Sequence, residues 1–220
     1  MLRRFALAAP LLAAMLLTAP PAPAQDAPAP ETAPAHRPAT TNVVIETTLG
    51  SIVVALETER APITSANFLR YADQHRLDGT TFYRVMRLWD PQPNGVIQGG
   101  AQGDPKRILP PIAHEPTNVT GVHHTKGAIS MARFEPGTAT GDFSLLVSDV
   151  EGLDADPKAA DAEQRAGYAA FGHIVSGMDV ALAIFEAPID PEKGDGMLKG
   201  QMIAQPVKIV SVHREVPAQP

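Results

Sequence analysis

The amino-acid sequence predicts a mostly β domain, an antiparallel barrel or sandwich, that carries two helices. Its apolar runs are short and rich in β-branched residues, and glycine, proline or polar residues separate them. Only two segments repeat apolar residues at the spacing of a helix. Because strands and helices do not alternate along the chain, the pattern argues against a sheet built from β-α-β units.

The first two predicted strands form a β-hairpin. Residues 42–47 and 51–56 are apolar, β-branched runs, and Thr48-Leu49-Gly50 joins them as a turn. The later predicted strands cover residues 81–86, 96–98, 128–131, 143–147, 169–175 and 207–212. Of the aromatic residues in these strands, Phe82, Phe143 and Phe171 are predicted to lie in the core.

Two helices are predicted from apolar residues that recur every three or four positions. The first begins at Pro62, because proline suits a first helical turn. Its apolar residues are Ile63, Ala66, Leu69 and Ala72. The second helix carries Met178, Ala181, Leu182 and Phe185. Pro188 follows it and is typical of the segment just after a helix.

Composition excludes several classes of function. The chain has 220 residues, a formal net charge of −6 and no cysteine. The absence of cysteine excludes a disulfide scaffold, a thiolate nucleophile and a zinc knuckle. A nucleic-acid-binding protein needs a basic face to neutralise phosphates, so the acidic balance argues against nucleic acid as a partner.

The N-terminal segment has the pattern of a secretory signal peptide. Arg3 and Arg4 precede a short apolar run over residues 5–17, and Ala22-Pro23-Ala24 resembles a cleavage site. We expect cleavage after Ala24, export by the Sec route to a bacterial periplasm, and no membrane span afterwards. Because both arginines are removed with the signal peptide, the mature chain would have a net charge of −8. The alternative is a retained N-terminal anchor.

The remaining chain is predicted to contain a single domain. Residues 25–40 are rich in proline and alanine and predict a disordered linker, because such a segment buries too little apolar surface to fold. Residues 41–215 are predicted to form the domain, and residues 216–220 a flexible tail. We expect the protein to be a monomer.

No motif in the sequence predicts a metal or nucleotide site. His114-Glu115 has no second histidine four residues on, so it does not match a zinc-protease motif. Neighbouring strand residues point to opposite faces, so His123-His124 is better interpreted as part of a loop than as a chelating pair. The acidic residues around Asp154 depart from the calcium-binding EF-hand spacing and predict a solvated loop. We therefore expect no metal and no cofactor.

Several short motifs together resemble one protein family. They are Phe82-Tyr83-Arg84-Val85-Met86, Val96-Ile97-Gln98-Gly99-Gly100, Ser130-Met131-Ala132, Gly141-Asp142-Phe143 and Phe171-Gly172-His173. In order and approximate spacing they resemble the cyclophilins, the barrel-type peptidyl-prolyl isomerases, from about residue 42 to about residue 213. The resemblance implies a closed eight-stranded antiparallel β-barrel capped by two α-helices. It also implies an isomerase whose substrates are proline-containing polypeptides.

An isomerase of this kind needs no nucleophile, because no covalent bond breaks. Rotation about an X–Pro bond meets a barrier of roughly 18–20 kcal/mol, so the catalyst must bind the twisted amide better than either planar form. Arg84 lies where the family has an arginine that donates to the prolyl nitrogen. Gln98 matches a glutamine that clamps both the arginine and the substrate. These two residues are the predicted catalytic pair.

The resemblance also implies a set of substrate-binding positions. They are Val96, Ala132, Arg133, Asp142, Ser144, Leu153 and Tyr168. Several depart from the family pattern, since Gly95 replaces an aromatic residue, Asp142 a glutamine and Ser144 a phenylalanine. A polar floor stabilises a prolyl ring little. Trp89, Phe134 and Leu153 are candidates to refill the pocket from loops. We also expect weak ciclosporin binding, because Gly152 replaces a further aromatic residue.

Three functions therefore remain open at this point. The first is an active isomerase that assists the folding of exported proteins, which Arg84 and Gln98 favour. The second is a catalytically weak cyclophilin-like module that binds extended peptides as a chaperone, which Gly95, Asp142 and Ser144 favour. The third, a barrel that binds a small ligand, has no support beyond the fold, and fold does not determine function.

Overall fold

The computed structural model describes residues 36–216. The predicted signal peptide, most of the predicted linker and most of the predicted tail lie outside these residues. The last part of the predicted linker, residues 36–40, is exposed and has no regular secondary structure. None of the helices in the described region is long and apolar enough to cross a membrane.

The described chain contains nine strands and four α-helices. The strands are β1 (Thr41–Thr47), β2 (Gly50–Leu56), β3 (Thr81–Arg87), β4 (Gly95–Gly100), β5 (Ala128–Met131), β6 (Asp142–Leu146), β7 (Ala169–Ser176), β8 (Ile189–Asp190) and β9 (Met202–Arg214). The helices are α1 (Pro62–Asp73), α2 (Thr117–Thr120), α3 (Ala162–Ala166) and α4 (Met178–Phe185).

Eight of the strands form a closed antiparallel barrel. Their order is β1-β2-β7-β5-β6-β4-β3-β9, and pairing of β1 with β9 closes the ring. The short strand β8 pairs with the first residues of β9, on the edge of β9 opposite β3. The fold class predicted from the sequence is therefore confirmed, including the hairpin in which Thr47 pairs with Gly50.

The secondary-structure prediction differs from the structure mainly in the last strand, in the unpredicted short strand β8 and in two short helices. The last strand begins at Met202, five residues before its predicted start, because its first residues pair with β8 and with Arg84 in the middle of β3. The predicted helices correspond to α1 and α4, but the structure adds the one-turn helices α2 and α3. A single turn contains too few residues to show helical periodicity.

Aromatic rings fill the barrel and pack under α1. Phe82, Phe143 and Phe171 are fully buried, as the sequence predicts. Phe68 from α1 packs against Phe143 with ring centroids 5.2 Å apart and against Phe171 at 5.5 Å. These contacts pack α1 against the core of the barrel.

A buried carboxylate from a distant loop caps the first helix. Ala61, the residue before α1, has no side chain that could accept a hydrogen bond. Glu115 instead accepts hydrogen bonds from the backbone N–H groups of Ile63 (3.1 Å) and Thr64 (2.6 Å), and from the Thr64 hydroxyl (2.7 Å). The carboxylate satisfies orphan N–H groups at the positive end of the helix. This structural role accounts for Glu115 without any metal.

Candidate active site

A β-bulge in β3 aims two neighbouring side chains at the same side of the sheet. Phe82 pairs with Gly99 and Arg84 pairs with Gln98, so Tyr83 is the extra residue between them. Strict alternation from the buried Phe82 would turn Arg84 towards the core. Because the bulge adds one residue, Tyr83 and Arg84 both line an outer groove and Val85 returns to the core.

The groove floor is a row of polar side chains across four strands. Arg84 of β3 pairs with Gln98 of β4, Gln98 with Ser144 of β6, and Ser144 with Ser130 of β5. Their sequence neighbours Ile97, Phe143, Leu145 and Ile129 are buried in the barrel core. The row therefore faces outward, into a cavity of about 830 Å³.

Arg84 is held in place by two glutamine side chains. Its Nη1 donates to Gln98 Oε1 at 2.7 Å, and its Nε donates to Gln201 Oε1 at 2.9 Å. Nη2 lies 3.7 Å from the Met86 sulfur. Burial lowers the pKa of Arg84 from its ordinary value, yet an arginine remains charged in proteins. The structure thus places a fixed cation with free donors on the floor of the groove.

A second chain of hydrogen bonds orients Gln98. Its Nε2 donates to the Tyr83 hydroxyl at 2.8 Å, and that hydroxyl lies 3.2 Å from Asp142 Oδ1, to which it donates. Asp142 also accepts from the backbone N–H of Gln102 at 2.9 Å. Burial raises the pKa of both Tyr83 and Asp142, so the Tyr83 hydroxyl keeps its proton. With Nε2 engaged by Tyr83, the carbonyl oxygen of Gln98 is directed at Arg84.

Apolar residues form the wall beside this floor. Val96 packs in a small cluster with Ala128, Leu146 and Val150, and Met86 and Leu153 pack against it. Met86, Val96 and Leu153 all line the groove. Met86 is not among the site residues predicted from the sequence, although its position two residues after Arg84 on one strand places both on the same face.

Gly95 is not among the residues that line the groove, and the structure leaves no space for a larger side chain at this position. Gly95 has φ +144°, and a Cβ there would lie 1.9 Å from the Met86 carbonyl oxygen. Any larger residue is excluded unless β3 moves. Of the three loop residues considered as replacements, Leu153 and Phe134 line the groove. Trp89 is not among the lining residues, and it is largely exposed.

The opposite rim contains Ala132, Arg133 and Tyr168. Ala132 lines the groove directly. The Arg133 side chain is only 1% exposed, with its Cζ 4.4 Å from the centre of the Tyr168 ring and its Nη1 2.8 Å from Glu163. It also donates to the carbonyl oxygens of Phe134 and Gly167. Arg133 therefore supports Tyr168 and joins two loops, rather than extending its side chain into the groove.

A buried histidine fastens the loop that carries Leu153. His124 Nδ1 lies 2.6 Å from Asp154 Oδ1, and its Nε2 lies 2.8 Å from Ser130 Oγ. Because a carboxylate only accepts, Nδ1 is the donor, and in the neutral ring Nε2 accepts from the Ser130 hydroxyl. Burial lowers the pKa of His124 more than Asp154 raises it. Through His124, hydrogen bonds thus connect Asp154, in the loop after Leu153, to Ser130 on the groove floor.

This arrangement changes the interpretation of the acidic loop. His123 and His124 lie in a loop, as predicted, but Asp154 is not a solvated surface residue, because both imidazoles contact its carboxylate. Burial alone would raise the pKa of Asp154, but the hydrogen bonds from His124 and His123 outweigh it and lower that pKa. Residues 36–216 contain no cluster of three or more acidic or histidine side chains suited to a metal.

A loop near the C-terminus, residues 191–201, completes the groove. Asp195, Met197 and Leu198 line it, and Gln201 contacts Arg84. This loop is not predicted from the sequence, because no local pattern indicates that it returns to β3. The structure brings all nine sequence-predicted site residues to this groove. They are Arg84, Val96, Gln98, Ala132, Arg133, Asp142, Ser144, Leu153 and Tyr168.

Comparison with known proteins agrees with this geometry. The family model described as "Cyclophilin type peptidyl-prolyl cis-trans isomerase/CLD" matches residues 42–214. The chain belongs to this family. A cyclophilin-type peptidyl-prolyl cis-trans isomerase is an enzyme, so the predicted enzyme class is confirmed, as is the resemblance on which it was based.

The curated proteins that are similar to this chain include two bacterial peptidyl-prolyl cis-trans isomerases. A peptidyl-prolyl cis-trans isomerase of Acinetobacter baylyi is 37% identical over 182 residues, which cover 81% of this chain and 87% of that protein. Peptidyl-prolyl cis-trans isomerase A of Dickeya dadantii is 35% identical over 145 residues, or 64% of this chain and 69% of that protein.

Solved cyclophilin structures share the fold. A cyclophilin-type isomerase of Cryptosporidium parvum, crystallised in the presence of the dipeptide Ala-Pro, superimposes with a TM-score of 0.62 at 19% identity. The match covers 80% of this chain and 99% of that one.

Proposed function

We propose that this cyclophilin-type isomerase accelerates rotation about X–Pro bonds in exported proteins as they fold, and that Arg84 stabilises the twisted amide. The observation that carries the proposal is the position of the Arg84 guanidinium, fixed by Gln98 on the floor of an open groove at 2.7 Å.

The chemistry of rotation requires such a group. Twisting the X–Pro bond breaks conjugation and leaves a lone pair on the prolyl nitrogen. A charged donor aimed at that nitrogen stabilises the twisted state and not the planar ones, which is the condition for a faster reaction. Because uncatalysed exchange takes about tens to hundreds of seconds, an unassisted proline can limit the folding of a polypeptide.

The remaining groove residues support binding of an extended peptide. Met86, Val96 and Leu153 supply an apolar wall for the prolyl ring, and Ala132 leaves space at the rim for the backbone of the substrate. Gln98 retains acceptor capacity for a substrate donor, since its carbonyl oxygen has two lone pairs. We further propose that the mature protein is a monomer in a bacterial periplasm, reached through the signal pattern of residues 1–24.

A protease-coupled assay on short Ala-X-Pro-Phe peptides tests the proposal. Wild type, Arg84→Ala and Arg87→Ala are compared, because Arg87 lies on the same strand but donates to the Phe185 carbonyl outside the groove. The proposal predicts that Arg84→Ala loses at least about 100-fold in kcat/KM, the effect of removing a charged transition-state donor. Equal rates for wild type and Arg84→Ala would contradict it.

A second candidate function is a peptide-binding chaperone with little catalysis. The polar floor favours it, because Ser144 and Asp142 offer a prolyl ring little apolar contact. In this case wild type and Arg84→Ala would suppress aggregation of an unfolded client equally. Neither protein would accelerate exchange in the peptide assay.

A further inference from the structure

One contact of Arg84 that the family resemblance did not indicate is with Gln201. Gln201 is the residue before β9, and its side-chain Oε1 accepts from Arg84 Nε at 2.9 Å. Its backbone carbonyl accepts from the N–H of Val85 at 2.9 Å. Gln201 therefore accepts two hydrogen bonds from β3, one at its side chain from the Arg84 guanidinium and one at its main chain from the N–H of Val85.

The two glutamines share the donors of the guanidinium between them. An arginine has five N–H donors in a planar fork. Gln201 takes the Nε donor and Gln98 takes one Nη1 donor, while Nη2 has only the Met86 sulfur at 3.7 Å. Two acceptors on different atoms of a rigid plane fix its rotation, which one acceptor alone does not. The donors that remain are those available to a substrate in the groove.

The loop behind Gln201 is itself well ordered by hydrogen bonds. Gln201 Nε2 donates to the Met197 carbonyl at 2.8 Å, and its backbone N–H donates to the Leu198 carbonyl at 3.1 Å. The N–H of Gly200 donates to the Lys193 carbonyl at 2.9 Å. The amide of Gln201 therefore has both ends engaged, with its oxygen directed at Arg84 and its nitrogen at the loop.

We propose that Gln201 is a positioning residue for the isomerase reaction, which holds the plane of the Arg84 guanidinium in its reactive orientation. The proposal rests on the function proposed above for Arg84. A long arginine side chain loses rotamer freedom when it is fixed, and a site that fixes it before substrate binds avoids that loss in the transition state. Gln201 thus acts through Arg84 and not by contact with the reacting amide.

Three variants at two sites test this role. Gln201→Leu removes the acceptor, whereas Gln201→Glu keeps an oxygen that can accept from Nε. Gln74→Leu is the matched control, because Gln74 Oε1 accepts from Arg76 Nε at 2.7 Å, away from the groove. For each variant, kcat/KM is measured on one X–Pro peptide, peptide affinity is measured by titration, and the folded fraction by circular dichroism.

The expected result is a catalytic loss without a binding loss. Gln201→Leu should lower kcat/KM about tenfold with peptide affinity within about twofold of wild type, since the ground state does not use the guanidinium orientation. Gln201→Glu should recover most of the rate, and Gln74→Leu should retain all of it. If Gln201→Leu does not fold, Gln201→Asn, whose shorter amide cannot reach Nε, should show the same loss.

Three results would overturn the proposal in distinguishable ways. If wild type is active, Arg84→Ala is inactive and a folded Gln201→Leu or Gln201→Asn equals wild type, then Gln201 does not position Arg84, and the proposed function stands. If Gln201→Leu and Gln201→Glu lose affinity and rate equally, Gln201 acts on the loop alone. If wild type and Arg84→Ala have equal rates, the proposed function itself fails.

Discussion

Arg84 and Gln98 face each other across β3 and β4, with Arg84 Nη1 2.7 Å from Gln98 Oε1, although 14 positions separate them in the chain. The contact exists because a bulge at Tyr83 turns Arg84 outward, and because Gln98 alternates with the buried Ile97. The register of β3 and β4 thus brings the Arg84 and Gln98 side chains together in the groove. The hydrogen bonds around these two side chains hold them in position.

Removing the Tyr83 hydroxyl should weaken both catalysis and folding. In Tyr83→Phe, Gln98 Nε2 loses its acceptor, and Asp142 loses a donor. We expect kcat/KM to fall about threefold to fivefold, because the amide of Gln98 is no longer oriented, and the free energy of unfolding to fall by about 1 kcal/mol. Peptide kinetics and urea unfolding measure the two effects.

Tyr71→Phe is the control for this comparison. The Tyr71 hydroxyl accepts from the Leu109 N–H at 2.7 Å in the core, outside the groove. Tyr71→Phe should lower the free energy of unfolding by a similar amount and leave the peptide kinetics unchanged. Equal kinetics for Tyr83→Phe and Tyr71→Phe would show that the Tyr83 hydroxyl does not orient Gln98.

Met86 should contribute to binding of the prolyl ring. Met86→Ala shortens the apolar wall that it forms with Val96 and Leu153. At about 25 cal/mol per Å² of buried apolar area, we expect a loss of about 1 kcal/mol, or roughly fivefold in peptide affinity. Calorimetric titration with an X–Pro peptide measures this, with the exposed Val210→Ala as the control. Unchanged affinity would place the prolyl ring elsewhere in the groove.

His124 should make the fold sensitive to mild acid. Burial holds the pKa of His124 below its ordinary value of about 6.5, so the folded state binds fewer protons than the unfolded state in the interval beneath that value. The free energy of unfolding should therefore fall as pH decreases through this interval. Urea unfolding at stepped pH values measures the slope.

The variant His124→Asn identifies the group responsible. It should cost about 1–2 kcal/mol at neutral pH, because the contacts with Asp154 and Ser130 are lost. Just below pH 6.5, the free energy of unfolding of His124→Asn should change less with pH than that of wild type, since no imidazole titrates at this position. A slope identical to that of wild type would assign the acid sensitivity to another residue.

Glu115 should be among the largest single contributors to the stability of α1. Glu115→Ala leaves the N–H groups of Ile63 and Thr64 without their acceptor at a buried helix end. We expect the free energy of unfolding to fall by about 2 kcal/mol in urea titrations. Glu192→Ala removes an exposed ion pair with Lys199 and should change it by about 0.5 kcal/mol or less. Similar losses in both variants would contradict the capping role.

The sequence predicted the barrel well because its signals are local. The hairpin at Thr47 and Gly50, the buried phenylalanines and helix α4 each depend on alternation, turn residues or helical spacing within one segment. The residues later found in the groove came from the family resemblance. Alternation from Phe82 alone would have placed Arg84 in the core, and only the bulge reverses this.

Other parts of the site could not be predicted because they depend on contacts between distant segments. Gln201 lies 117 positions from Arg84, and nothing around it indicates that it returns to β3. The sequence indicates that Gly95 replaces an aromatic wall residue, but Gly95 does not line the groove, and the nearby Met86 carbonyl oxygen leaves no space for a larger side chain. The capping role of Glu115 likewise depends on the position of a loop about 50 residues from α1.

The measurement that tests the central claim most directly is the exchange rate of an X–Pro peptide bound to the protein, observed by NMR. Rates and dissociation constants are compared for wild type, Arg84→Ala and Arg87→Ala at saturating protein. The account predicts that Arg84→Ala binds within about threefold of wild type while exchange in the complex slows by about 100-fold, because the guanidinium contributes to the twisted state. Unchanged exchange in the Arg84→Ala complex would contradict it.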